Sequence, residues 1–98
     1  MDFEAFRRAL EDDQPPESVG PALRAMWHAA RNQWERAHEL VQTHDDTDSC
    51  WIHAHLHRVE GDLSNAAYWY SRAGRRMPKG DLQAEWQEIV TSLLSARP

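Results

Sequence analysis

The sequence is short of the residues on which several classes of protein depend. It has one cysteine, Cys50, so an internal disulfide, a paired-cysteine metal site and a dithiol redox pair are all excluded. Its four glycines lie too far apart to form a phosphate-binding loop, and no Gly-x-Ser-x-Gly motif marks a serine nucleophile. Because no catalytic motif is visible, we expect a protein that is not an enzyme and that holds no cofactor.

Positive charge and long apolar runs are also scarce. The formal net charge is -5, whereas nucleic-acid binding needs a basic surface that displaces counterions from phosphate. No apolar stretch approaches the roughly 20 residues that cross a bilayer, and the first residues do not resemble a secretion signal. We therefore expect a cytoplasmic protein that binds neither nucleic acid nor a membrane.

The apolar residues recur with helical spacing along the whole chain, whose 98 residues suffice for one domain. The pattern predicts a single all-α domain over residues 1–98. It contains a short N-terminal helix, a first helical hairpin at 21–44, a second at 50–78 and a capping helix at 81–96. Asn32 and Glu35 have the spacing of a capping box for the second helix of the first hairpin. Residues 43–49 are expected to form an acidic loop between the hairpins.

The two hairpins are copies of one pattern. Residues 25–37 align with residues 54–66 at a constant offset of 29, since Ala25 matches Ala54 and Ala37 matches Ala66. The pattern of each unit predicts a helix, a two-residue break and a second helix. The small alanine in the second helix allows the two helices to approach closely. Two stacked hairpins follow from this repeat.

The second unit resembles the tetratricopeptide repeat. The resemblance rests on residues at that repeat's spacing, namely Gly61-Asp62-Leu63, Ala66, Tyr70, Ala73 and Pro78. It covers about residues 21–78 and implies a non-enzymatic module that binds a protein or peptide. The stretches ALRAMWHAARNQWERAHELVQ and WIHAHLHRVEGDLSNAAYWYSRAG are also similar to a family of small, uncharacterised bacterial proteins.

Two groups of residues are candidates for partner binding. By repeat position, Trp51, His55 and Arg58 would line the groove of the module. Tyr68 and Trp69 cannot share the buried face of Tyr70, because neighbours on a helix are about 100° apart. With Arg72, they are either covered by a terminal helix or form a patch for a partner, which in a homo-dimer would be a second copy.

Histidines are the third candidate feature, since the chain has six. His53 and His57 lie one helical turn apart, and Glu60 can extend the same face, so the three could chelate zinc or nickel. The repeat places both rings where a Leu and a Tyr normally pack, so we expect them to be buried. The interpretation that the sequence favours is a buried polar network in which Tyr68, Tyr70, Asn65 or Glu60 supplies hydrogen-bond partners to the rings. A further alternative is that His57 acts as an acid or base beside Glu60. The remaining histidines, His28, His38 and His44, are expected to be packed or half-exposed rather than ligands.

Overall fold

A computed structural model describes residues 1–95, and within that part the chain forms six α-helices and no strand. The helices are α1 (Phe3–Ala9), α2 (Pro21–Ala30), α3 (Trp34–Val41), α4 (Thr47–Val59), α5 (Leu63–Ala73) and α6 (Leu82–Ser95). The prediction of an all-α chain is confirmed for these residues. The predicted capping helix corresponds to α6, and its last predicted residue, Ala96, lies outside the described residues.

Local signals in the sequence set several of these helix ends. The Asp2 carboxylate accepts a hydrogen bond from the Ala5 amide at 2.9 Å and so caps α1. Asp62 caps α5 in the same way. Gly74 ends α5 with a φ of 72°, in the left-handed region that a residue without a Cβ adopts at little cost.

Two predicted boundaries are wrong. Helix α4 begins at Thr47 rather than Cys50, because the Asp46 carboxylate accepts hydrogen bonds from both the amide and the hydroxyl of Ser49. Part of the predicted acidic loop is therefore the first turn of α4. The capping box at Asn32 does not form either, since Asn32 itself adopts a positive φ of 60° after the end of α2.

The helices contact one another in sequence-adjacent pairs, α2 with α3 and α4 with α5. Helix α4 lies at the centre, and every residue from Ser49 to His57 is buried. A helix buried on all sides places its polar side chains in the interior as well. Each of them then needs a partner in place of water.

Helix α6 packs across α2 and α4 and also contacts α1. The indole N–H of Trp86 donates to the carbonyl of Met26 at 2.9 Å, while Phe3 and Phe6 of α1 pack near the Trp86 ring. One cluster of buried apolar side chains therefore draws on all six helices. None of the helices within residues 1–95 is long and apolar enough to cross a membrane.

Candidate functional site

His53 and His57 of α4 form one side of a histidine cluster. Their spacing of four residues places both rings on one face of the helix, with ring centroids 4.8 Å apart. The exposed fraction is 4% for His53 and 7% for His57. The prediction that both rings are buried is confirmed.

The third member of the cluster is His38, which comes from α3. Its Nε2 lies 3.0 Å from Nε2 of His53, and its ring centroid lies 5.4 Å from that of His57. One potential ligand atom from each of the three rings lies within 4.8 Å of the others. This position of His38 could not be predicted, because no pattern within α3 reveals which face of α4 it meets.

Two tryptophans enclose the cluster. The Trp34 ring stacks on His38 with an angle of 11° between the planes and a centroid distance of 4.8 Å. Trp69 stacks on His53 at 3.9 Å and 13°. This apolar cover makes protonation costly, so burial, together with repulsion from His38 and His57, lowers the pKa of His53 to about 4. Burial also lowers the pKa of His38.

Glu60 is a hydrogen-bond partner of His57, as the polar-network interpretation allowed, and not a ligand beside His53. Its carboxylate accepts a hydrogen bond from Nδ1 of His57 at 2.6 Å, and it does not join His53 in a group of ligand atoms. The proton on Nδ1 leaves Nε2 of His57 with a free electron pair. Glu60 therefore orients His57 and fixes its tautomer, as carboxylates do beside metal-binding histidines. The predicted trio of His53, His57 and Glu60 is replaced by His38, His53 and His57.

A second group of potential ligand atoms overlaps the first. It consists of His57, Glu60 and Asp62, whose ligand atoms also lie within 4.8 Å of one another. Both carboxylates are exposed, and Asp62 already caps α5. Exposed acidic groups commonly lie together without an ion, so the buried imidazole group is the better candidate for a site.

His53 also contains a buried polar atom without a partner. Among the described residues, its Nδ1 has no hydrogen-bond partner, although the ring is enclosed by protein. Buried polar atoms are usually satisfied, and an exception often marks a site with a further role. The ring stays in place because Trp69 and the two other histidines pack around it.

The predicted binding groove is covered. Trp51 and His55 are buried, and the Arg75 guanidinium lies 3.3 Å from the centre of the Trp51 ring. His55 and Arg58 both bind Glu85 of α6, at 2.7 and 3.0 Å. The sequence placed these three residues on an open groove, but α6 and the segment before it lie over them.

Glu85, which the sequence analysis missed, is the centre of a second polar network. Its carboxylate is 3% exposed and accepts hydrogen bonds from His55, Arg58 and the Tyr70 hydroxyl. Burial alone would raise the pKa of Glu85, but these donors lower it below its usual range. Burial and the carboxylate raise the pKa of Tyr70. A signal was available, because Glu85 shares the predicted buried face of α6 with Trp86 and Ile89.

The predicted aromatic patch on α5 is divided between the interior and the surface. Trp69 is half-buried against His53 and belongs to the histidine cluster. Tyr68 is exposed, and the Arg72 guanidinium donates a hydrogen bond to its hydroxyl at 3.1 Å. Trp69 is thus covered by α4, which neither of the two sequence-based alternatives had named.

No protein-family model, curated protein or solved structure matches this chain.

Proposed function

We propose that this protein binds one divalent transition-metal ion through His38, His53 and His57. The observation that carries the proposal is the convergence of three imidazoles from two helices, with ligand atoms within 4.8 Å of one another. Three histidines are the protein ligands of one class of zinc site, which leaves a fourth position for water or another molecule. This proposal departs from the sequence-based expectation that no cofactor is bound.

The chemistry of the cluster favours a metal of intermediate softness. Imidazole nitrogen suits zinc, copper, nickel and cobalt, whereas calcium and magnesium prefer oxygen ligands. A histidine must be neutral to bind a metal. The lowered pKa values of His38 and His53 keep both rings in that form at neutral pH.

The surroundings of the cluster support the same conclusion. Glu60 accepts a hydrogen bond from Nδ1 of His57 and leaves Nε2 free. Carboxylates orient metal-binding histidines in the same way. Trp34 and Trp69 stack on two of the three rings and limit their movement. A site whose ligands are already positioned loses little conformational entropy when it binds an ion.

We also propose that the helix pairs α2–α3 and α4–α5 are tetratricopeptide-like hairpins. The offset of 29 residues between the two units and the contacts within each pair support this arrangement. Stacking of two such hairpins brings the second helix of the first unit against the first helix of the second. That contact is the one between α3 and α4 that unites His38 with His53 and His57.

The geometry favours metal binding over the protein- or peptide-binding module expected from the sequence. Trp51 and His55 are buried, and Arg58 is held by Glu85. Tyr68 and Arg72 remain exposed, so a partner or a second copy would have to bind through them.

The test is a calorimetric titration of metal-free protein with zinc, cobalt, nickel and copper ions. We expect one ion per chain for at least one of these metals. Loss of a residue that hydrogen-bonds to a metal ligand weakens metal binding roughly 10–100-fold. The substitution His38→Ala removes a ligand itself and should weaken binding by more than that. His38 is only half-buried, so this variant should keep the helical circular dichroism spectrum of the wild type.

Two controls separate this site from its alternatives. His44 is exposed and is not a member of the cluster, so His44→Ala should bind the metal as the wild type does. Asp62→Asn removes a carboxylate of the second group but retains a side chain that caps α5. Binding that survives His38→Ala and disappears in Asp62→Asn would place the ion at the second group and overturn the proposal, as would the absence of binding for all four metals.

A further inference from the structure

A pocket lies on the other side of α4 from the histidine cluster. Side chains two positions apart on a helix point about 200° away from each other, so His55 faces away from His53 and His57. The pocket is about 290 Å³ in volume and lies where the ends of α2 and α4 meet the start of α6. Its lining residues are mainly apolar and include Ala29, Ala30, Trp34, Val59, Leu82 and Trp86.

The walls of the pocket are rigid and apolar. The indole N–H of Trp34 donates to the Leu56 carbonyl at 2.7 Å, and that of Trp86 donates to the Met26 carbonyl at 2.9 Å. Because these polar atoms are already paired, the two rings present carbon surface to the pocket. The small side chains of Ala29 and Ala30 also line the pocket and leave its space unfilled.

The rim includes two exposed apolar side chains beside the exposed polar residues Asn32 and Gln83. Val59 is 44% exposed and Leu82 is 38% exposed, and both line the pocket. Of the five large hydrophobic residues that are exposed in the described part of the chain, these two lie at one opening. Apolar side chains left in water around a concave surface are typical of ligand sites.

One polar group is oriented in the pocket by a buried network. Nδ1 of His55 lies 2.7 Å from the Glu85 carboxylate, which can only accept a hydrogen bond in its ionised form. Nδ1 therefore carries a proton, and in the tautomer with that single proton Nε2 is an acceptor. Arg58 at 3.0 Å balances the charge of Glu85. His55 is among the residues that line the pocket, and among residues 1–95 no hydrogen bond occupies its Nε2.

We infer that this pocket binds a small aromatic molecule that carries a hydroxyl or N–H group and donates a hydrogen bond to Nε2 of His55. The volume sets the size, since a cavity of about 150 Å³ holds benzene, and about 290 Å³ holds a ring with substituents or two fused rings. The tryptophan faces and the aliphatic rim take the ring, and the histidine selects molecules that have a donor. This site does not depend on the proposed metal.

The test compares phenol with toluene, which has nearly the same shape but no donor. Both are titrated into chelator-treated protein, and binding is followed by NMR, including the ¹⁵N resonances of the histidine rings. The net hydrogen bond of phenol, about fivefold in affinity or about 1 kcal/mol, is nearly offset by the methyl group that toluene buries, about fourfold or about 0.8 kcal/mol, so the discriminating readout is the histidine resonance and not the affinity. Only phenol should shift the Nε2 resonance of His55.

A variant that fills the pocket provides the second measurement. Ala30 is an exposed residue at the end of α2 that lines the pocket, so Ala30→Leu should fold and should abolish binding of phenol. Ala67→Leu makes the same change at an exposed position of α5 outside the pocket and should bind phenol as the wild type does. A displacement of the His55 Nε2 resonance by toluene as large as that by phenol, or unchanged binding of phenol by Ala30→Leu, would overturn the inference. Because metal is absent throughout, neither result depends on whether the three-histidine site exists.

Discussion

Acidification should destabilise this protein through His53, and the size of the effect can be worked out from the structure. In the unfolded chain the imidazole takes up a proton below its ordinary pKa of about 6.5. In the folded protein burial lowers the pKa of His53 to about 4. Between these two values the unfolded state binds more protons than the folded state, so stability falls as the pH falls.

The difference between the two pKa values, at about 1.4 kcal/mol for each pH unit, gives a loss of about 3 kcal/mol between pH 7 and pH 4. Total stabilities of small domains are about 5–15 kcal/mol, so the loss is a large fraction of what holds the fold. In a domain of this size it lowers the melting temperature on the order of 15 °C.

The assay is urea denaturation at a series of pH values between 7 and 4, followed by circular dichroism in the presence of a chelator. The chelator removes any contribution of a bound metal to the pH dependence. His53→Leu removes the titrating group and replaces it with an apolar side chain. The variant should keep only the smaller pH dependence that comes from His38, whose pKa burial also lowers, and from groups common to both proteins.

His44→Leu is the matched control, since His44 is exposed and lies outside the histidine cluster, so the same substitution there should retain the loss of stability that comes from His53. If His53→Leu lost as much stability between pH 7 and pH 4 as the wild type does, the assignment of the effect to His53 would be wrong.

Three further substitutions test other parts of the structure by urea denaturation at pH 7. Glu85→Ala leaves buried donors without their acceptor and should lower the free energy of unfolding by about 3–5 kcal/mol. Glu88 is an exposed residue on the same helix, so Glu88→Ala should change the free energy of unfolding by less than about 0.5 kcal/mol. Equal effects of the two substitutions would contradict the buried network. Asp46→Ala removes the cap of α4 and should cost about 1 kcal/mol. The hydrogen bonds from Ser49 outweigh burial and lower the pKa of Asp46. The difference in stability between the wild type and Asp46→Ala should therefore shrink as the pH falls below the usual range of aspartate. A difference that grows on acidification would refute the cap. Gly74→Ala forces a side chain into a positive φ and should cost about 1 kcal/mol or more, and an unchanged midpoint would show that the end of α5 relaxes.

Most of the helices could be predicted because their signals are local. Pro21 at the start of α2, the Asp62 cap and Gly74 at the end of α5 each act within one turn, so the sequence around them is enough. The boundary of α4 was missed because Asp46 and Ser49 lie in a run of acidic and hydroxyl residues that is equally typical of a loop. Their hydrogen bonds decide between the two.

Part of the candidate metal site could be predicted in the same way. The spacing of His53 and His57 places them on one face, and the repeat position predicts that this face is buried, as the structure confirms. The third ring could not be found, because His38 is 15 residues away and reaches the cluster only through the contact between α3 and α4. Glu60 was recognised as a neighbour, but its role as the hydrogen-bond partner of His57 depends on side-chain geometry.

The position of α6 had the largest consequence for function. The apolar face of this helix was visible in the sequence, but the surface that it would cover was not. It packs on α2 and α4, closes the expected groove over Trp51 and His55, and supplies the carboxylate that orients His55 toward the pocket.

The sequence by itself determined that the chain is helical, where most helices begin and end, and which face of α4 carries two histidines. Those features follow from spacing along one chain segment and from hydrogen bonds within a single turn. Only the tertiary structure decided that His38 completes the cluster, that Glu85 is buried and that α6 covers the groove. Each of these depends on which apolar face packs against which, and several pairings bury similar area, so the choice depends on side-chain fit across the whole core.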